Sequence, residues 1–233
     1  MDRSMWESTA TYADLQVFLQ EPGCAICRVV DQSSRRYFDD LLYENVNDVT
    51  LRKRLRDGGG FCRAHAQTLV GFGEALGTAI LYGDLLNQRR RWLHEGAASR
   101  VLPAGRAALE LGRDCPACEM EHQSERRAAE VLSSALNEGK IGALWQGSDG
   151  LCWPHFLLVR GLCHAGRKEL DHVESECLDR LAGLVTELIA SYDYQWKGTR
   201  SPQVASAWRH VVAMVTGQFI RDGAEAAPEP EEK

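Results

Sequence analysis

The strongest constraint in the chain is a ligand-type pattern that occurs twice. Cys24-Ala-Ile-Cys27 is followed by Gly60-Phe61-Cys62-Arg63-Ala64-His65, a C-x2-C-x34-C-x2-H spacing. Cys115-Pro116-Ala117-Cys118 is followed by Gly150-Leu151-Cys152-Trp153-Pro154-His155, with 33 residues in place of 34. Each set offers three thiolates and one imidazole, a complete tetrahedral donor set for zinc. Six of the 8 cysteines and two of the 7 histidines belong to this scheme, so a chance origin is remote. The duplication extends beyond the donors: Asp31-Gln32-Ser33-Ser34-Arg35-Arg36 aligns with His122-Gln123-Ser124-Glu125-Arg126-Arg127, and Leu69 and Gly71 with Val159 and Gly161. The chain therefore reads as a tandem repeat of about ninety residues, the kind of self-similarity to establish before any fold assignment.

Between the donors the apolar residues follow helical periodicity. Val30, Tyr37, Leu41 and Leu42 share one face after the first C-x2-C, and His65, Leu69, Phe72, Leu76 and Ile80 form a stripe after the first C-x2-H. The second stripe is read as one helix continuing to about Trp92 or Leu93, and Gly71, Gly73, Gly77 and Gly83 within it point to close helix–helix approach. Asn45 to Asp48 reads as a turn with an N-cap for a short basic helix, Thr50 to Arg56, which Gly58-Gly59-Gly60 ends. In the second half Val131, Leu132, Ala135 and Leu136 continue the helix opened by Cys115 and Cys118, and a long helical pattern runs from Cys152 to about Trp196 with an interruption near Gly161 to Gly166. Ser201-Pro202 starts a last helix with Val204, Trp208, Val211, Val215 and Phe219 as its stripe. No segment alternates as a strand would. The predicted fold is all-α: a pseudo-symmetric helical bundle in which each half is stapled by a Cys3His site. The matched spacings favour pairing inside each repeat, and pairing of the first C-x2-C with the second C-x2-H across the pseudo-dyad is the alternative. The expected organisation is a helical N-terminal segment (1–22), a first repeat (23–98), a second repeat (99–200), a C-terminal helix (201–221) and a disordered acidic tail (222–233).

The C-x2-C and C-x2-H pairs both fall where helices begin. A thiol at a helix N-terminus has a lowered pKa, which favours the thiolate that a metal requires. Zinc, two ions, is the predicted cofactor, and iron–sulfur clusters are the alternative, since both use cysteine thiolates. Neither C-x2-C is followed directly by His, which excludes a haem attachment in form. Glu169-x2-His172 on the long helix is the pattern of di-iron bundles, but the first repeat has no counterpart, so it reads as part of a polar face. Cys163 and Cys177 are the only cysteines outside the scheme, and helix-interior cysteines are usually inert core. Nothing in this set points to an enzyme.

Composition narrows the partners. A formal net charge of −6 argues against a dedicated nucleic-acid binder, in spite of Arg52-Lys53-Arg54 with Arg56 and of Arg89-Arg90-Arg91, which read as solvated helix faces. The longest apolar-rich run, Leu181 to Ala190, is broken by Thr186 and Glu187 and is too short to span a bilayer. The expectation is a cytoplasmic protein whose partner is another protein. Clustered thiols in that compartment point to metal or redox chemistry and not to structural disulfides.

Leu41-Leu42-Tyr43-Glu44-Asn45-Val46-Asn47-Asp48 with Gly60-Phe61-Cys62 and His65, Leu76 to Leu86, Asp193-Tyr194-Gln195-Trp196 and Ser206-Ala207-Trp208-Arg209 together resemble a family of uncharacterised prokaryotic proteins with tandem C-x2-C and C-x2-H pairs. The resemblance spans nearly the whole chain except its two ends. It implies the same eight donors and brings no activity with it. One departure is Glu119-Met120-Glu121-His122, more polar than Arg28-Val29-Val30 at the matching place, which predicts different packing in the second half.

Overall fold

The computed structural model describes residues 9–95, 114–136 and 139–217. The first eight residues, the linker containing Pro103, Phe219 of the last apolar stripe and the expected tail lie outside the described residues. Within them every regular element is helical: α1 (Ala10–Phe18), α2 (Ala25–Asp40) running into a π turn (Leu41–Asn45), α3 (Val49–Asp57), α4 (Arg63–Gly71), α5 (Ala75–Glu95), α6 (Pro116–Ala135), α7 (Gly139–Gln146), α8 (Trp153–Leu162), α9 (Arg167–Ala190) and α10 (Pro202–Thr216). No described helix is long and apolar enough to cross a membrane.

Local chemistry sets most of the helix starts. Thr9, Asp48 and Ser201 cap α1, α3 and α10, each side chain accepting the backbone N–H three residues on. Cys62 and Cys152 occupy the cap positions of α4 and α8 with extended backbone, yet their side chains make no capping bond, which leaves both sulfurs for another purpose. The helix expected from His65 through Leu86 is interrupted. The chain turns at Phe72–Glu74, where Gly73 has φ +74, a conformation that costs glycine nothing. Leu76, read as part of the buried stripe, is consequently 74% exposed, while His65 and Leu69 are buried. Of the glycines expected to permit close approach, Gly77 does so: a Cβ there would lie 3.0 Å from Leu42 and 3.2 Å from Val46, whereas at Gly71 and Gly83 it would meet nothing within 4 Å. The interruption expected in the last long pattern occurs between α8 and α9. On α10 the buried face is Val204 and Ala207, and Trp208 and Val215 of the expected stripe are exposed.

The chain forms two compact units, one of residues 1–29 and 125–233, the other of residues 30–124. These divisions cut through both sequence repeats. In the unit of residues 30–124, Phe38, Leu41, Val46, Leu55, Phe61, Leu69 and Leu81 form one buried cluster together with Cys115 and Ala117. Ser33 and Ser124, aligned in the repeat expected from the sequence, share a hydrogen bond of 2.8 Å. In the other unit α9 packs on α10, with Leu188, Val204 and Ala207 buried between them.

Candidate metal centres

The eight donors converge as two sets of four, but not as the spacings suggest. Cys24 and Cys27 of the first repeat meet Cys152 and His155 of the second, and Cys62 and His65 of the first meet Cys115 and Cys118 of the second. The expectation of a site inside each repeat is therefore corrected: each set takes one pair from each repeat. Helix length is the physical reason. At about 1.5 Å per residue, the 16 residues of α2 span some 24 Å, and the 9 residues of α3 can retrace only about half of that. The second repeat has the same imbalance, 20 residues in α6 against 8 in α7. Each C-x2-H thus emerges far from its own C-x2-C.

Within each set all four donor atoms lie within 4.8 Å of one another. In the first centre the Nδ1 of His155 is 3.1 Å from Cys152 Sγ and 3.3 Å from both Cys24 and Cys27 Sγ, with Cys27 and Cys152 sulfurs 3.7 Å apart. In the second, His65 Nδ1 is 3.2, 3.5 and 3.3 Å from the sulfurs of Cys62, Cys115 and Cys118, with Cys62 and Cys118 sulfurs 3.7 Å apart. Donors on one tetrahedral zinc, at about 2.3 Å for sulfur and about 2.0 Å for nitrogen, stand roughly 3.8 Å (S···S) and roughly 3.5 Å (S···N) apart. The four distances given for each set match that geometry to within about 0.4 Å.

The other nitrogen of each histidine meets a carboxylate. His65 Nε2 is 2.9 Å from Glu121 Oε1, and His155 Nε2 is 2.9 Å from Glu125 Oε1. A carboxylate there holds the ring proton on Nε2 and leaves the Nδ1 lone pair facing the thiols, as metal-binding histidines generally require. Sequence analysis missed both residues. They stand four apart on α6, and the matching positions on α2 are Val30 and Ser34, so repeat logic could not reveal them. The signal was the polar run after Cys118: Glu121, read there as a packing change, belongs to a centre.

Without an ion the donors hold protons unevenly. Burial pushes the Cys115 thiol up, but hydrogen bonds from His65 and nearby backbone amides outweigh it and hold the thiol at about 6. Burial and the Cys115 charge push Cys118 up to about 12. Cys24 is likewise held well below the ordinary thiol value, as burial is overcome by bonds from Cys152, Cys27 and His155, while bonds to Cys152 and Cys24, then burial, drive Cys27 far above it. Bonds to Cys115 and Glu121 raise His65 to about 10, and at His155 bonds to Cys152 and Cys24 overcome burial to reach about 11. An incoming cation must displace these protons, so metal binding weakens as pH falls.

One further residue supports the first centre. Glu174 is 1% exposed; its Oε2 accepts the Leu151 N–H at 2.9 Å and its Oε1 has no hydrogen-bond partner. Burial raises its carboxyl to about 7. It pins the backbone immediately before Cys152, a role without any sequence signature. Cys177 is buried inside α9 as expected, whereas Cys163, expected inside a helix, is buried just past the end of α8; His172 and Glu176 are exposed side chains 3.5 Å apart. The basic cluster of α3 is only partly a solvated face: Arg52 and Arg56 both bond Asp84, and Arg54 pairs with Glu119.

A family model described as a family of unknown function, DUF6062, matches residues 5–222. An uncharacterised 23.9 kDa protein encoded in the xynA 3′ region of Caldicellulosiruptor sp. (strain Rt8B.4) is 38% identical over 107 residues, 46% of this chain. The chain spans about half, 49%, of that relative's length. No solved structure matches.

Proposed function

Because the chain belongs to DUF6062, a family of unknown function, we propose its function from the two centres themselves: each holds one structural zinc ion, and the protein is a metal-stapled helical module that acts through its surface and not by turnover. The observation that carries this reading is the clustering of four donors within 4.8 Å, twice, with each histidine already oriented by a carboxylate. Four protein donors fill a tetrahedral ion and leave no position for water or substrate, the mark of a structural site. The spacing also favours one ion over an iron–sulfur cluster, which divides its ligands among several irons and so holds them further apart.

The partner we propose is another protein. Tyr192 is 73% and Tyr194 90% exposed, Arg200 lies 4.2 Å over the Tyr192 ring, and Arg209 lies 5.0 Å over the exposed Trp208. Tyr, Trp and Arg are the residues that dominate protein–protein contacts. Nucleic acid is a poorer fit at a net charge of −6, with arginines of α3 already engaged by Asp84. A reducing cytoplasm suits eight cysteines without a disulfide among them.

Anaerobic purification followed by metal analysis and a visible spectrum tests the reading. The expected result is a colourless protein with about two zinc ions per chain that loses its fold on chelation. A brown protein containing iron and sulfide would replace zinc by clusters. Turnover that depends on the metal would overturn the non-enzymatic role.

A further inference from the structure

A cavity of about 160 Å3 opens against the first centre, and its walls differ in chemistry. One wall is the donor set itself, Cys24, Cys27 and Cys152. The lining also includes apolar groups from α9 and α10, among them Leu181, Leu184 and Met214, and the charged Arg180 and Asp149. Two of the three sulfurs are shut in: Cys27 Sγ is 3.6 Å from the Gly217 carbonyl, and a Cβ on Gly217 would lie 3.3 Å from Cys152 Sγ. Cys27 and Cys152 are buried, whereas Cys24 is half-buried. Arg180 makes only long contacts, 3.4 Å to Cys177 Sγ and 3.5 Å to both the Ser148 carbonyl and Asp149 Oδ1. A guanidinium has five N–H donors, so beside its 3.5 Å pair with Asp149 it retains N–H groups for an anion.

We propose that Cys24 is an alkyl-acceptor site for a small neutral alkyl donor with an anionic leaving group. The proposal rests on the metal reading above and goes beyond it. Three thiolates and a neutral imidazole on a dication leave the centre with a charge of about −1, so its sulfurs stay electron-rich and unprotonated. Metal coordination is one of the ways a protein keeps a thiolate ready as a nucleophile at neutral pH. The alkyl group rests against Leu181, Leu184 and Met214. The Cys24 sulfur attacks the saturated carbon, the S–C bond forms as the bond from carbon to the leaving group breaks, and the electron pair departs with that group towards Arg180. No proton moves. Cys24 becomes a neutral thioether, and a donor set holding a metal would lose one unit of negative charge. The step needs no vacant position on the ion and happens once per molecule, which agrees with a module that reports and does not turn over.

Iodoacetamide, which expels iodide, is the probe, applied to the full metal-loaded chain with labelling sites and rates read by mass spectrometry. Cys24, Cys62 and Cys118 are all half-buried, so exposure alone predicts similar rates. The proposal predicts that Cys24 reacts about tenfold or more faster than Cys62 and Cys118, since reactivity follows both thiolate character and access. Leu184→Trp, which fills the cavity, should remove that preference without changing the Cys62 rate. Arg180→Gln should slow iodoacetamide and leave N-ethylmaleimide, which expels no anion, unaffected. Metal content and circular dichroism of each sample verify that the variants are folded and loaded. Equal rates at Cys24 and Cys62 in a chain holding two metals overturn the acceptor site and leave the metal reading standing. A Leu184→Trp chain that is folded, loaded and still selective also overturns it. A folded chain without metal overturns both.

Discussion

The two centres have the same donor types, three cysteines and a histidine, and different surroundings. The second, built from Cys62, His65, Cys115 and Cys118, is backed by aromatic rings: Phe38 lies 6.0 Å from the His65 ring, with Phe61 at 5.3 Å and Phe72 at 5.8 Å from Phe38. Phe38 and Phe61 are almost wholly buried, so this metal site is the end of a hydrophobic core. The first, built from Cys24, Cys27, Cys152 and His155, rests on a buried carboxyl, Glu174, and borders a cavity. Zinc prescribes four donors and their spacing and nothing beyond them. What surrounds a centre is therefore free to differ: aromatic rings back the second, and a cavity borders the first.

The largest expected effect tests the partition of donors. Cys62→Ser should cost the second centre its ion and leave the first loaded, and Cys152→Ser should do the reverse. Each forfeits part of a binding energy that is also folding energy, on the order of 10 kcal/mol for a whole structural site. Cys163→Ser and Cys177→Ser, outside both sets, should cost about 1 kcal/mol and no metal. Thermal melts with metal content measured in parallel decide the matter. If Cys62→Ser also exposes Cys24 and Cys27 to thiol reagents, the exchange of partners between repeats is wrong.

A smaller effect separates the supports of the two centres. Glu174 has its carboxyl raised from 4.5 to about 7 in the folded protein, so the native state binds more protons than the unfolded chain between those values. The contribution is fully present below about pH 4.5 and is lost as pH rises through about 7, a change on the order of 3 kcal/mol for a wholly buried group. Glu174→Gln, which keeps the bond to the Leu151 N–H out of reach of titration, should flatten that part of the stability–pH curve. Urea melts from pH 5 to 8 on the metal-loaded chain measure it. An unchanged slope would mean that Glu174 is ionised and compensated by a group not among those facing it.

The smallest effect compares the carboxylates. Glu121→Gln should weaken metal binding at the second centre and Glu125→Gln at the first, each by about 10- to 100-fold, the usual cost of losing such a partner. Competition with a chromophoric chelator resolves the two affinities. A variant that weakens both centres equally would show that α6 as a whole, and not the individual carboxylate, has been disturbed.

Much of this protein is legible one residue at a time. The donors identify themselves by type and spacing, because zinc chemistry demands thiolates and imidazoles in close pairs. The helix starts follow from Thr9, Asp48 and Ser201, whose side chains satisfy free amides within three residues. Both are short-range properties, and a linear sequence records short-range properties directly. Which pair meets which is different: it depends on α2 and α6 outrunning the short helices that follow them, a length difference that is visible in the sequence but decides nothing until the helices pack. The carboxylates Glu121 and Glu125, the buried Glu174 and the cavity beside Cys24 are further removed still, for each is defined by neighbours more than twenty residues away. Burial and proximity between such distant positions are properties of the tertiary structure, and only it could decide that the donor set of Cys24, Cys27, Cys152 and His155 would border a cavity.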